Sequence, residues 1–379
     1  MARLQTPALL FALIALAGLM LPFVQFRPNR IVAGEGIALI ALPGGAVLAL
    51  ALAVVLVAAC LPVWSAPARL AAAAAGLVAV ILALGLAATH LQPPGNTLAR
   101  VSPAAGFWLL LLALGLMAAD AVGRLRASPG LRWLMLAAAV AGLAAILGSG
   151  ALDGVSVMRE YASRSDLFAR EARAHLTLAL GSLGLALLAG LPLGVAIFQA
   201  PRWRGPVLSV LNVVQTVPSL ALFGIMIPVL GWVAATVPGA ASAGIAGIGT
   251  VPALIALFLY ALLPVVSNTL AGLTGVPAAT RDAAAGLGMT RAQILVQVLI
   301  PLALPVLLAA VRIVLVQNIG LAVIAGLIGG GGFGTFVFQG LNQTAMDLVL
   351  LGALPTIALA LVAGVALDLL ISAMKRGTA

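Results

Sequence analysis

The chain has 379 residues, 64% of them hydrophobic and only 7% charged, with 19 Lys and Arg against 9 Asp and Glu. Soluble domains hold about 45–50% apolar and about 25% charged residues, so a water-soluble globule of this length would lack the polar surface to cover itself. Disorder fails on the same hydrophobicity, and the apolar runs are too long and continuous for an outer-membrane barrel. What remains is an all-α polytopic membrane protein in contact with a lipid bilayer. Its net charge of +10 then sets topology and implies no nucleic-acid partner.

A spanning helix needs about 20 mostly apolar residues, and roughly ten such segments are predicted. The first covers 7–24 and, with no small-residue cleavage site after it, reads as a retained anchor. Four more lie near 38–62, 69–89, 104–122 and 131–149. Cys60, the single cysteine, falls in the second of the ten and reads as a buried, inert thiol. Residues 155–173 predict one amphipathic helix. Met158, Tyr161, Phe168 and Ala172 share a side, and Glu160–Arg164 and Asp166–Arg170 are acid-before-base pairs at i, i+4. Further spans follow near 174–198, 206–231, 251–273, 301–328 and 348–372. The predicted organisation is a five-span N-terminal membrane extension (1–152), an extracytoplasmic connecting helix (153–173) and a five-span core (174–379).

Charge distribution orients these spans. Placing both termini in the cytoplasm puts Arg3, Arg69, Arg124, Arg126, Arg132, Arg202, Arg204, Arg281, Arg291, Lys375 and Arg376 inside. Outside lie Arg27, Arg30 and Arg100, plus the arginines of the connecting helix, which have acids close by. The excess of inside cations supports this placement.

Composition also removes chemistry. Lys375 is the only lysine, so the glycine run at 329–334 cannot be a nucleotide-phosphate loop. His90 and His175 stand far apart, and no catalytic constellation is present, so an enzyme is not expected. Asp120, Asp347 and Asp368 lie near predicted span ends, which argues against an ion-coupled secondary transporter with its membrane-buried carboxylate.

Within the predicted spans, polar and helix-breaking residues stand out. Gln215, Thr216, Pro218 and Ser219 interrupt the seventh. A proline there frees a backbone carbonyl that can line a cavity; for the polar side chains Gln215, Asn268, Gln317 and Asn318 interhelical hydrogen bonding is the first reading and pore lining the alternative. Arg312 lies eleven residues past Pro301, about 16 Å along a helix. At that depth an arginine costs roughly 2.5–3.5 kcal/mol on insertion scales, so it must meet protein, water or carbonyls. It reads either as an anchor bonding backbone exposed at a helix break or as part of a translocation path or gate.

Between the eighth and ninth spans lies TGVPAATRDAAAGLGMTRAQILVQVLIPLALP. The alanine-rich stretch from Asp282 favours a helix, Gly286 and Gly288 are placed to stop it by a left-handed cap, and Thr290 with Gln293 forms a Thr-x-x-Gln capping box that starts another. Pro301 and Pro305 mark entry into the ninth span. The product is a short helix, a glycine bend and a second helix feeding the membrane, with small residues at Ala283, Ala284 and Gly288 that let another protein approach.

This segment resembles the E-A-A-x3-G-x9-I-x-L-P coupling loop of binding-protein-dependent ABC transporter permeases, standing here as Asp282, Ala283, Ala284, Gly288, Val298, Ile300 and Pro301. QTVPSLALFGIMIPVLG (215–231), ALFLYALLPVVSNTLAGL (256–273) and IGGGGFGTFVFQGL (328–341) are similar to the glycine betaine/carnitine/choline permeases of the osmoprotectant-uptake group. The resemblance covers about half the chain; the first five spans match no recognised motif. It implies a type I ABC permease core with a cytoplasmic coupling loop at 274–300, in the bacterial inner membrane. The implied partners are ABC ATPase subunits that bind ATP and Mg, a second permease subunit and an extracytoplasmic substrate-binding protein, with no cofactor on this chain. The implied cargo is glycine betaine or a related quaternary-ammonium compatible solute moved by alternating access. An amino-acid ABC permease is the nearest alternative.

Overall fold

The computed structural model describes residues 6–29, 32–59, 64–93, 95–96, 98–125, 127–242 and 244–377; the burial expected for Cys60 lies outside them. The chain divides into two compact units, residues 1–163 and 164–379.

The first unit opens with α1 (Thr6–Met20), shorter than the predicted first span. Pro22 brings no N–H to continue the helix, and the aromatic and β-branched side chains of PFVQFR suit a strand. Residues Pro22–Arg27 accordingly form β1, paired antiparallel with β2 (Glu35–Ala38) and β3 (Arg100–Pro103) in the order β2-β1-β3. This small sheet departs from a purely helical fold. Phe23 and Val24 are fully buried in it, and Phe23 meets Phe107 edge-on at 5.8 Å. The predicted second span is likewise shorter: a 3-10 turn at Leu39–Ala41 precedes α2 (Gly45–Ala59). With 15 residues each, α1 and α2 reach about 22 Å, less than the roughly 30 Å of a hydrocarbon core.

Three full-length helices follow. In α3 (Ala66–Leu91), Ser65 caps the first turn by accepting from the Ala68 N–H, and Pro67 sits where a missing donor costs nothing. It packs on α4 (Ala105–Arg124), where Gly76 leaves room for Leu114. By contrast, no residue of α5 (Pro129–Gly148) is buried.

The single amphipathic helix expected over 155–173 is two elements. The first, α6, spans Ser156–Ser163. Ser163 turns its hydroxyl back to the Glu160 carbonyl at 3.0 Å, a bond that competes with helix propagation, and Arg164 leaves helical geometry (φ −137°, ψ 25°). The polar face of α6 is buried: Glu160 lies 3.9 Å from Arg100, and Arg159 donates to the Ala99 carbonyl at 2.9 Å.

The second unit begins with α7 (Ser165–Gln199), which absorbs the rest of the expected connecting helix and runs on as a 35-residue element. Arg204 terminates it, donating to the carbonyls of Ile197 and Phe198 at 3.0 and 2.9 Å. The predicted seventh span is broken into α8 (Arg204–Thr216) and α9 (Ser219–Thr236). Next, α10 (Thr250–Thr274) packs against α7, and Gly190 and Gly194 admit Val265 and Thr269. Beyond α11 (Ala278–Gly286) and α12 (Arg291–Gln293), a π-helical stretch at Ile294–Leu299 leads into α13 (Ile300–Leu321). The unit closes with a 3-10 turn at Ile324–Ile328, α14 (Gly334–Asn342) and α15 (Met346–Gly377), which packs on α13. Among the described residues, eight helices are long and apolar enough to cross a membrane, and α1 and α2 supply two shorter apolar ones.

Candidate functional site

The bend between α10 and α13 is fixed by local chemistry. Pro277 starts α11, and the helix ends in a Schellman motif. The Gly288 N–H bonds to the Ala285 carbonyl at 2.9 Å and the Met289 N–H to Ala284 at 3.2 Å, with Gly288 at φ 81°. Gly286, the other glycine read as a stop, is the last residue of the helix. Thr290 and Gln293 then form a reciprocal capping box: the Gln293 side chain accepts from the Thr290 N–H at 2.8 Å, and Thr290 Oγ1 from the Gln293 N–H at 3.3 Å. Asp282, Ala283 and Gly288 are exposed, whereas Ala284 is buried.

Beneath the bend, Leu273, Val276, Leu299 and Ala303 form a cluster joined by Val195 and Phe198 near the end of α7. The knuckle is thus a rigid outcrop on the core. Two features escaped sequence reasoning. Leu287, 84% exposed at the tip, is a large apolar side chain with nothing of its own chain to cover it. The π-helical stretch just before Pro301 closes with the Ile300 N–H on the Leu295 carbonyl. Pro301 has no N–H to offer Gln297, which removes an ordinary helical bond at this point.

The break in the seventh span is held by α10. Pro264 supplies no N–H to the carbonyl four residues back, which belongs to Tyr260. That carbonyl instead accepts from Gln215 Nε2 at 3.1 Å. In return, the Tyr260 hydroxyl donates to the Val217 carbonyl beside Pro218. The carbonyl freed by Pro264 and the Val217 carbonyl at the α8–α9 break are therefore each satisfied by a side chain from the facing helix. The sequence flagged Gln215 and Pro218 but not Tyr260, although its place four residues before Pro264 was the available signal.

Asn318 is fully buried and donates to Ser182 Oγ at 2.7 Å, while Ser182 donates to the Leu178 carbonyl at 2.6 Å. It ties α13 to α7. Asn268 turns back on its own helix, to the Pro264 carbonyl at 2.7 Å. Arg312 corrects the expectation of a backbone anchor: its Nη1 donates to Asp368 Oδ1 on α15. Asp368 is correspondingly set within α15, which extends to Gly377, rather than at a span end.

At the other end of α7, the glycine run packs as a turn. Gly329, Gly331 and Gly332 all have positive φ (71°, 75° and 86°). The Phe333 N–H reaches His175 Nδ1 at 3.4 Å, and Thr335 donates to Glu171 Oε2 at 3.1 Å. The Phe333 ring lies 4.8 Å from His175 and 5.3 Å from Phe168, which also stacks on Phe336. This cluster is assembled from two separated segments, the start of α7 and residues 333–336.

Comparison with known proteins accounts for both units. Residues 184–377 match the binding-protein-dependent transport system inner membrane component family, and residues 2–158 match the N-terminal domain of the ABC transporter permease YehY. The carnitine transport permease protein OpuCB of Listeria monocytogenes is 40% identical over 51% of this chain and 81% of its own. The osmoprotectant import permease protein OsmW of Salmonella typhimurium is 40% identical over 50% and 82%, and the choline transport system permease protein OpuBB of Bacillus subtilis 37% over 50% and 79%. The first five predicted spans, which matched no motif, thus recur as a domain of another permease. The chain belongs to the binding-protein-dependent transport family as a multi-pass inner-membrane permease, a kind of protein that works with an ATPase and further subunits.

Proposed function

We propose that this chain is the permease through which an ATP-driven importer carries glycine betaine or a related quaternary-ammonium compatible solute into the cell by alternating access. The knuckle carries the reading: Asp282, Ala283 and Gly288 stand exposed beside Leu287 on a doubly capped bend, a surface for an ATPase subunit to grip. ATP and Mg belong to that subunit. Charge counting puts the knuckle and both termini in the cytoplasm. An extracytoplasmic binding protein selects the solute, because the aromatic group around Phe333 is packed shut and offers no open cage of the kind that holds quaternary ammonium ions. Carnitine, choline and osmoprotectant cargoes in the names of the relatives support the solute class. Gln215 and Pro218, at the clamped break, and Arg312 border the moving core, while Asn318 braces it.

The test is reconstitution of the chain with its ATPase and binding protein in proteoliposomes. Labelled glycine betaine should accumulate only with ATP, survive collapse of the membrane potential, and fall with Leu287→Asp while the permease stays inserted. Accumulation without nucleotide, or its loss on collapsing the potential, would sink the reading.

A further inference from the structure

The ion pair between α13 and α15 stands at membrane depth with an open side: the Arg312 side chain is 37% exposed and that of Asp368 54%. Asp368 lies six residues before the end of the span Met346–Met374 and Arg312 nine before the end of Arg291–Leu321, about 9 and 14 Å at a helical rise. Every other charged residue of this unit lies near the start of α7, at the α7–α8 turn, in the knuckle or at the two ends of α15. The depth of the core therefore keeps one cation and one anion, side by side. Among the described residues their bond runs from Arg312 Nη1 to Asp368 Oδ1. That end-on contact leaves the rest of the guanidinium fork and the second carboxylate oxygen to other partners. Lipid tails cannot hydrate such groups, and intramembrane charges mark substrate and ion pathways. A pair kept only to join two helices gains little over apolar side chains of the same volume.

We propose that Arg312 and Asp368 form a transit site for a zwitterionic quaternary-ammonium solute. The site rests on the importer reading above and names where the cargo touches the core. Glycine betaine carries a carboxylate and a trimethylammonium group on one small frame. The guanidinium fork takes the carboxylate in paired hydrogen bonds. Asp368 faces the ammonium, which has no N–H and is met as a point charge. Without cargo, each protein charge neutralises the other. With cargo in place, each exchanges its neighbour for the solute's opposite charge, so neither step leaves a bare ion at depth. One ionic contact replaces another, which keeps the site shallow, and a passage must hold its cargo loosely enough to release it. The neighbouring anion also cancels the repulsion that a lone arginine would exert on the solute's cation.

The test uses the full importer in proteoliposomes, with labelled glycine betaine as the probe. The double variant Arg312→Leu/Asp368→Leu removes both charges together and so strands neither. It should still co-purify with the ATPase, while ATP-driven uptake falls at least about tenfold, as expected for the loss of charge-assisted contacts. Arg312→Lys keeps a cation beside Asp368 but loses the fork, and its uptake should fall several-fold. In a Cys60→Ser background, Val365→Cys places a thiol one turn before Asp368, at a position 44% exposed. During ATP turnover that thiol should react with a membrane-impermeant reagent. Glycine betaine should slow the reaction, and adding Arg312→Gln should remove the slowing.

Unchanged uptake by the double-leucine variant would overturn the proposal, because the charges would then do nothing for the cargo. Loss of assembly in both the double-leucine and the Arg312→Lys chains would overturn it in favour of a purely structural pair. A Val365→Cys thiol that never reacts would place the pair against lipid or protein, and one that reacts equally fast with and without glycine betaine would place it in water without cargo; either result overturns the site. Glycine betaine uptake absent from the unaltered complex would discard the importer reading itself. Uptake that survives loss of both charges would discard this site alone.

Discussion

The two ends of the core each turn on glycine, for different physical reasons. At the knuckle, Gly288 adopts φ 81°, yet a Cβ built on it would have nothing within 4 Å; the position needs a conformation and no space. In the opposite turn, Gly332 adopts φ 86°, and a Cβ there would lie 3.1 Å from His175 Nδ1, while one on Gly334 would lie 1.7 Å from the Val323 carbonyl oxygen. Those positions need room as well. The knuckle is held by its own neighbours in sequence and offers its outer surface to another molecule, whereas the opposite turn is held by distant helices and offers little. A glycine bend built to be touched and one built to close look alike in composition and differ in what surrounds them.

The contrast predicts graded effects. Gly334→Ala drives a methyl into backbone and should abolish recovery of an assembled complex, seen as loss of the monodisperse peak in size-exclusion chromatography. Gly332→Ala adds the roughly 1–2 kcal/mol of a left-handed alanine to a tight contact with His175, and should lower the midpoint of thermal unfolding of the purified complex. Gly288→Ala carries a similar left-handed strain but at an exposed bend that can relieve it by opening locally, so its fall in midpoint should be smaller than that of Gly332→Ala. Its effect should be faster amide exchange across 284–293 and weaker co-purification of the ATPase. Smallest is Thr290→Ala, which removes one cap worth about 1 kcal/mol and should raise exchange at Gln293 alone. Equal falls in midpoint for Gly332→Ala and Gly288→Ala would erase the distinction between the two bends.

The same contrast explains what could be read from residues alone. Thr290 and Gln293 stand three apart, and Gly288 follows an alanine-rich run; such bonds span one turn of chain and leave a local pattern. His175 and Phe333 are 158 residues apart and Arg312 and Asp368 are 56 apart, so neither pairing has a spacing to find. Insertion cost showed that Arg312 requires company but not whose. The first three residues of the strand Pro22–Arg27 were taken into the first span, which was drawn to residue 24, because a short apolar run looks the same whether it coils or extends. In α6, amphipathicity named the apolar face, while Arg100 decided that the polar one would be buried.

The π-helical stretch at Ile294–Leu299 carries a geometric consequence for everything after it. A turn closing over five residues holds one more than an ordinary turn, and one residue is about 100° of rotation on an α-helix. A helical wheel drawn straight through from Thr290 would therefore aim Arg312 away from α15. The widened turn resets the angular phase of α13, so a single deletion between 294 and 299 should return the stretch to an ordinary helix and keep the guanidinium on its carboxylate, whereas a single deletion between 302 and 311, past the widened turn, should swing it away.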